Sequence, residues 1–205
     1  MEDIADTIIK EASTLFMKYG IKSVTMDDIS RSLGISKKTV YQYFNDKNEI
    51  VNRVAKTHLE KERRNFEEMQ IDAENAIDKL YRHSRFLRKS FEKMNPVVLF
   101  DLKKYHKDAW QLFVAYKKNI FSKSMIETLN EGIKQGYFRE SIDPEILITL
   151  RFEILEMIAD GNIFPPDEYD FKEVQLQIFD HFIHGILTDK GHHLLNNYIK
   201  KHIQQ

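Results

Sequence analysis

Few residues of this chain can interrupt a helix. Its 205 residues include only seven glycines and four prolines, and the prolines all lie beyond residue 95, at Pro96, Pro144, Pro165 and Pro166. Because glycine and proline supply most tight turns, their scarcity leaves long segments free to be helical. The sequence therefore predicts an all-α fold.

The N-terminal 47 residues have the pattern of three short helices. Apolar residues at helical spacing predict a first helix over residues 4–19. Thr25 is a suitable N-cap for a second helix that ends at Gly34, and Ser36 for a third that follows at once. The third helix turns Val40 and Phe44 inward. Its other faces carry Lys37, Lys38, Thr39, Tyr41, Gln42 and Tyr43.

The helices after residue 47 are longer and richer in aromatic residues. Twelve of the fourteen phenylalanines lie beyond residue 50. The predicted helices cover residues 47–70, 73–93, 97–107, 109–137, 144–163, 171–187 and 190–203. We expect an N-terminal three-helix domain, residues 1–47, continuous with a larger helical bundle, residues 48–205, with about nine to ten helices in all.

Charge and composition limit the functions open to the chain. Its 31 Lys and Arg against 32 Asp and Glu give a net charge of -1, so bulk charge cannot bind a polyanion and any basic surface must be local. The longest stretch without Asp, Glu, Lys or Arg is residues 191–199, nine residues, against the roughly 18 to 20 of a membrane span. With no cysteine and no signal-peptide pattern, we expect a cytoplasmic protein.

Residues 26–45 form a helix-turn-helix pattern. Gly34 permits the positive φ of a tight turn, small Ser30 lets two helices approach, and Val40 fills the wedge between them. The next helix then presents lysines, hydroxyls and an amide, the groups that bond phosphates and base edges in the major groove. Between residues 31 and 47 the local charge is +3, from Arg31, Lys37, Lys38 and Lys47 against Asp46.

In these segments the sequence resembles the tetracycline-repressor (TetR) family of transcription regulators. The resemblance is close over roughly the first 50 residues, through residues 24–29, 33–36 and 39–47, and weaker through residues 132–139 and 185–188. It implies an all-helical homodimer with an N-terminal DNA-binding domain and a C-terminal domain that dimerises and often binds an inducer. The implied partner is an operator in double-stranded DNA, palindromic or nearly so.

The resemblance also implies roles for individual residues. Phosphate contacts fall to Thr25, Tyr41, Tyr43 and Lys47. Base contacts fall to Lys37, Lys38, Thr39 and Gln42, and Ser36 completes the predicted DNA-binding set. The family often has a small residue in place of Lys38 and a histidine in place of Tyr43, so the operator sequence does not carry over from a relative. The plainer alternatives are solvated lysines and half-buried tyrosines that only pack.

The C-terminal half suggests a ligand site and a dimer interface. Apolar side chains on four predicted helices could line a cavity for an apolar or aromatic effector, although such residues more often form only the core: Phe86, Met94, Phe100, Trp110, Phe113, Tyr116 and Phe152. The helix over 144–163 is apolar on nearly every side, which is typical of burial against its own domain and a second subunit. The predicted interface comprises Ile154, Met157, Ile158, Ile178, Phe179, Phe182 and Ile186.

Catalytic patterns are missing from the sequence. It has no GxSxG elbow, no glycine-rich phosphate loop and no HExxH, so we expect no enzyme and no cofactor. His181 and His184 could share a metal with Asp180, but no complementary cluster is evident and we expect none. The leading hypothesis is a repressor released from DNA by a small ligand. The alternatives are an effector-independent dimeric DNA-binding or architectural protein and, less favoured, a helical enzyme or adaptor.

Overall fold

The computed structural model describes residues 3–165 and 167–203, and the all-α prediction is confirmed. Pro166, predicted to break a helix together with Pro165, lies outside the described residues. In chain order the helices are α1 (Ile4–Tyr19), α2 (Met26–Leu33), α3 (Lys37–Tyr43), α4 (Lys47–Ile71), α5 (Ala76–Lys93), α6 (Pro96–Tyr105), α7 (Lys107–Tyr116), α8 (Ser122–Lys134), α9 (Pro144–Ala159), α10 (Phe171–Ile186) and α11 (Asp189–Ile203). A π-helical turn, Lys117–Phe121, joins α7 to α8.

The helix bounds differ from the predicted ones where a local cap or a glycine determines the helix end. Helix α5 begins three residues late because the Asn75 side chain accepts from the N–H groups of Ile77 and Asp78, both at 3.0 Å. Helix α9 ends at Ala159 instead of 163, since Gly161 takes a φ of 69° that ends a right-handed helix. The single helix predicted over 109–137 is wrong, because the π-helical turn divides it into α7 and α8, and α8 ends at Lys134 shortly before Gly136, whose φ is 72°.

Two segments of weak resemblance, residues 132–139 and 185–188, pair with each other. Phe138 and Leu187 form an isolated antiparallel bridge, and the Arg139 N–H donates to the Ile186 carbonyl at 2.9 Å. Gly132 is needed here, because a Cβ on it would lie 2.1 Å from the Phe138 ring. The buried Phe138 ring therefore lies directly against the α8 backbone.

The described residues form two compact units, each with its own apolar core. The first unit comprises the residues up to Glu62 together with Met94–Tyr116, so α6 and α7 belong with the N-terminal helices. The second comprises Arg63–Lys93 and the residues from Lys117 onward. The functional division at residue 47 stays a prediction, because compactness alone does not test it.

Candidate nucleic-acid interface

The turn between α2 and α3 depends on Gly34. Its φ of 67° and ψ of 24° place it in the left-handed region, where a side chain would be strained. Its N–H donates to the carbonyls of Ser30 and Arg31, and the Ile35 N–H donates to the Ser30 carbonyl at 3.0 Å. These bonds satisfy the last carbonyls of α2 and start α3 immediately after it.

A buried face fixes the orientation of α3. Val40 and Ile29 are fully buried, and Phe44 at the end of α3 is 6% exposed. Ser30 is 5% exposed, and its hydroxyl donates to the Asp27 carbonyl at 2.9 Å, so a small polar side chain lies in the packed face without an unsatisfied group. Because the inner face of α3 is held in the core, its opposite face must point to solvent.

The outer face of α3 is exposed, as the sequence predicts for a DNA-contacting surface. Tyr41 and Tyr43 are 47% and 41% exposed although both side chains are large and partly apolar. Lys37, Lys38 and Gln42 are exposed beside them. Exposed tyrosines next to lysines can offer hydroxyls and charge to a phosphate backbone.

The two predicted caps are confirmed. Thr25 caps α2 in a capping box, accepting from the Asp28 N–H at 3.1 Å while its hydroxyl donates to the Asp28 carboxylate at 2.6 Å. Hydrogen bonds from Thr25 hold the pKa of Asp28 below its ordinary value. Ser36 caps α3 by accepting from the Thr39 N–H at 3.0 Å, and the two hydroxyls lie 2.8 Å apart. The Ser36 and Thr39 hydroxyls are thus already engaged with each other.

Two of the predicted DNA-contacting lysines have partners within the chain. The Lys37 ammonium lies 3.2 Å from the Asp27 carboxylate, an exposed pair of low energy that DNA phosphates can displace. Lys47 donates to the Lys22 carbonyl at 3.3 Å, and partial burial lowers its pKa. Asp27 lies outside residues 31–47, for which a charge of +3 is predicted, and its carboxylate lowers the net positive charge of this face.

Comparison with known proteins agrees with this geometry. Residues 8–54 match the family model described as bacterial regulatory proteins, tetR family. The N-terminal helices of the chain are therefore similar to those of the tetR family. The chain is 28% identical over 187 residues to the HTH-type transcriptional regulator YvaF of Bacillus subtilis, covering 89% of this chain and 95% of that one. The family model and this relative are both named for regulatory proteins, as the helix-turn-helix pattern predicts.

Two further comparisons extend the likeness to the C-terminal half. The repressor KstR2 of Mycolicibacterium smegmatis is 27% identical over 148 residues, 69% of this chain and 71% of its own length. A transcriptional regulator from Saccharomonospora viridis, solved in complex with choline, shares the fold with a TM-score of 0.70 at 20% identity, over 92% of this chain and 100% of that one. The TetR-like architecture therefore spans nearly the whole chain.

The residues predicted to bind a ligand are only partly brought together. Met94 and Phe113 line an apolar cavity of about 80 Å³ in the first unit, between α1, α4, α6 and α7, and Trp110 packs against Phe113 with ring centroids 5.2 Å apart. Phe152 belongs to the second unit, 5.4 Å from Phe121. The remaining three do not line the cavity; Phe100 is 38% exposed, and Phe86 and Tyr116 are partly buried.

The predicted dimer residues divide between core and surface. Ile158, Phe179 and Ile186 are at most 3% exposed within the single chain, so they pack the core of the second unit. Met157 is 36% exposed. Ile154, Ile178 and Phe182 are partly buried. Sequence reasoning missed Ile146 and Leu150, which are 64% and 53% exposed on α9.

The described residues hold no group of three or more His, Cys, Asp or Glu side chains placed to bind a metal ion. Asp180 instead accepts from Arg88 at 2.8 Å, and the His184 ring stacks on His192 at 5.2 Å. No helix in the described ranges is long and apolar enough to cross a membrane.

Proposed function

We propose that this chain is a TetR-family regulator that represses transcription by binding a two-fold-symmetric operator as a homodimer, and that a small apolar ligand releases it. The observation that carries the proposal is the outer face of α3, which is exposed while Val40 anchors the helix in the core. Helix-turn-helix dimers place two such helices in successive major grooves, about 34 Å apart along the duplex. Repression is supported by the relative KstR2, which is named a transcriptional repressor.

An apolar stripe on α9 supports the homodimer. Ile146, Leu150 and Met157 are spaced by four and seven residues, so they lie on one face of the helix, and all three are exposed. Burying this face against the same face of a second copy would remove the apolar surface from water. In such a two-fold dimer, each residue of the stripe contributes to the interface twice, once from each subunit.

The apolar cavity of the first unit is the candidate effector site. At about 80 Å³ it is far smaller than the roughly 300 to 1,000 Å³ of typical ligand sites, so a ligand must enlarge it. The walls that could separate are α1 and α6. Two hydrogen bonds link residues in or beside these helices. The amide of Asn95, the N-cap of α6, donates to the Met17 carbonyl of α1 at 3.1 Å, and the N–H of Lys22, which follows α1, donates to the Asp101 carboxylate of α6 at 2.8 Å. A ligand that strains these bonds would move α1 and, through α2, which packs against both helices, α3.

The Asp101 contact should therefore control operator affinity from a distance. Asp101 is 2% exposed, and Asp101→Leu removes the acceptor while leaving the Lys22 N–H without a partner. We expect a loss of about 1–3 kcal/mol in unfolding free energy and weaker operator binding, although Asp101 lies outside the predicted DNA-contacting set. Asp101→Asn keeps an acceptor oxygen, so it should retain most of the stability and most of the operator affinity. Thermal melting measures the first and fluorescence anisotropy the second. Equal operator affinity for wild type and Asp101→Leu would contradict the coupling.

Two substitutions on α3 separate phosphate contacts from base contacts. Tyr41→Phe removes a hydroxyl that we assign to a phosphate, so it should weaken binding to all sequences alike. Gln42→Ala should change the preference at particular base pairs, by about 1–3 kcal/mol for each lost base contact. Binding measured on a panel of single-base operator variants tells the two apart. A similar shift of preference in both variants would refute this division of roles.

The direct test of the proposed function is selection of bound sequences from random duplex DNA. We expect an enriched site with two-fold symmetry and half-sites about 10 base pairs apart, or a multiple of that spacing. A panel of small apolar compounds is then tested for release of the selected duplex. Enrichment without symmetry would contradict the dimer.

The small volume of the cavity, about 80 Å³, favours a second candidate, an effector-independent DNA-binding dimer. The compound panel separates the two functions. Release by an apolar compound, abolished when Ala55 in the cavity wall is replaced by Phe, supports the effector-controlled repressor. Selection of a symmetric site with no release by any compound supports the effector-independent protein.

A further inference from the structure

We propose that the second unit contains a binding site for an organic carboxylate, formed by Arg151 on α9, Gln175 on α10 and His83 on α5. The site is distinct from the apolar cavity of the first unit, and its ligand is of a different chemical class. The inference does not depend on DNA binding or on the proposed repression.

Arg151 is a largely buried cation without a counter-ion. Its two terminal nitrogens each lie 3.3 Å from the Gln175 side-chain oxygen, and the guanidinium lies 5.5 Å from the centre of the Phe179 ring. Among the described residues no carboxylate lies within ion-pair distance of it. Burial lowers the pKa of Arg151 to about 10, still well above neutrality, so the group keeps its charge. A charge removed from water without an opposite charge is costly and calls for an anionic partner.

Other cations of the second unit do have carboxylate partners. The buried Lys117 lies 2.9 Å from Glu156, and Arg82 lies 2.9 Å from Asp78. More exposed Arg88 lies 2.8 Å from Asp180. The unit therefore neutralises cations with its own carboxylates at several points and leaves Arg151 with only a neutral amide.

Two neutral polar groups beside Arg151 also lack partners. Gln175 is fully buried and His83 is 2% exposed, and among the described residues neither nitrogen of the His83 ring nor the Gln175 side-chain nitrogen has a hydrogen-bond partner. Burial, together with the charge of Arg151, lowers the pKa of His83 to about 3, so the ring is neutral and carries one N–H. Buried polar groups are nearly always satisfied, and unsatisfied ones indicate a missing partner.

The chemistry of these groups selects the ligand class. A guanidinium, an amide NH₂ and an imidazole N–H are all donors, and the Gln175 oxygen is already taken by Arg151. The second ring nitrogen of neutral His83 is an acceptor, so donors outnumber acceptors in the cluster. A carboxylate supplies two acceptor oxygens and the missing negative charge, and its planar shape matches the two-pronged donor geometry of arginine.

Aromatic rings surround the donors, so an acid that binds here would place its hydrocarbon part against apolar side chains. The rings of Phe66, Phe121 and Phe179 surround His83 with centroids 5.8, 4.7 and 5.5 Å from its own. The π-helical turn that carries Phe121 is a geometry common at functional sites. Arg151 and Phe152 on α9 are partly exposed, so the cluster reaches solvent on its Arg151 side.

Isothermal titration calorimetry on the full chain, without DNA, tests the site. The probes are octanoate and 3-phenylpropanoate, each compared with its neutral primary amide. We expect at least one acid to bind and its amide to bind at least about tenfold more weakly, because charge-assisted bonds to Arg151 are lost. Arg151→Met should abolish binding of the acid. Arg88→Met, which removes an arginine of the same unit already paired with Asp180, should leave it unchanged.

Gln175→Glu provides a second variant that does not depend on removing the charge. The new carboxylate would lie beside the Arg151 guanidinium, occupy the place of the ligand, and both raise the melting temperature and prevent acid binding. Absence of binding by both acids, equal affinity for acid and amide, or undiminished acid binding in folded Gln175→Glu protein would overturn the proposal.

Discussion

Val40→Asp is expected to abolish operator binding by unfolding the helix-turn-helix. Val40 is fully buried between α2 and α3 and belongs to the same apolar core as Ile29 and Phe44. A carboxylate there has no cation to pair with in the packed interface, and burying it costs several kcal/mol, on the order of the 5–15 kcal/mol that stabilises a whole domain. We expect reduced helical circular dichroism at 25 °C and no detectable binding to the selected duplex.

Gln42→Asp is the matched control, because it places the same carboxylate two residues away on the exposed face of α3. Its melting temperature should stay close to the wild type, within the effect of a typical surface substitution of about 0.5 kcal/mol. It should weaken DNA binding through the added negative charge and the lost Gln42 base contact, without unfolding α3. Native-like melting of Val40→Asp would show that α3 does not pack as described.

Leu150→Glu is expected to convert the dimer into monomers. Leu150 is 53% exposed on α9, so the substitution should leave the chain folded while placing two carboxylates at a two-fold contact. A monomer engages one half-site only, and losing the second contact should lower operator affinity by about 100-fold or more. Size-exclusion chromatography with light scattering and anisotropy on the selected duplex measure the two effects.

Ile71→Glu controls for added charge, because Ile71 is an apolar residue 74% exposed at the end of α4, outside α9 and α10. It should remain dimeric with unchanged operator affinity. The predicted interface residue Phe182 is a less suitable position, since its ring stacks on buried Phe179 at 6.3 Å and a charge there also disturbs the core. A Leu150→Glu protein that is still dimeric would show that the dimer interface does not include this stripe.

Features set by neighbouring residues could be predicted from the sequence. The bounds of α1 to α3 and the roles of Thr25, Gly34 and Ser36 depend on hydrogen bonds within a few positions, so they are visible in the local pattern. Burial of Val40 follows in the same way from helical periodicity.

Features that join distant segments could not be predicted. The Asp101 carboxylate accepts from a backbone N–H 79 residues earlier, and nothing in the α6 sequence marks Asp101 as buried instead of solvated. The grouping of α6 and α7 with the N-terminal helices depends on such contacts. Arg151 is weakly marked in the sequence as the one cation in the mostly apolar helix α9. Its proximity to His83 and Gln175 could not be predicted, because it depends on how α5, α9 and α10 pack together.

The central claim is that the outer face of α3 reads a DNA sequence, and competition binding tests it most directly. Anisotropy of the wild type on its selected duplex is compared with a shuffled duplex of equal length at several salt concentrations. We predict a preference of about 1,000-fold or more for the selected duplex, and an affinity for both that falls steeply as salt rises. Equal affinity for the two duplexes at every salt concentration would contradict sequence-specific recognition by α3.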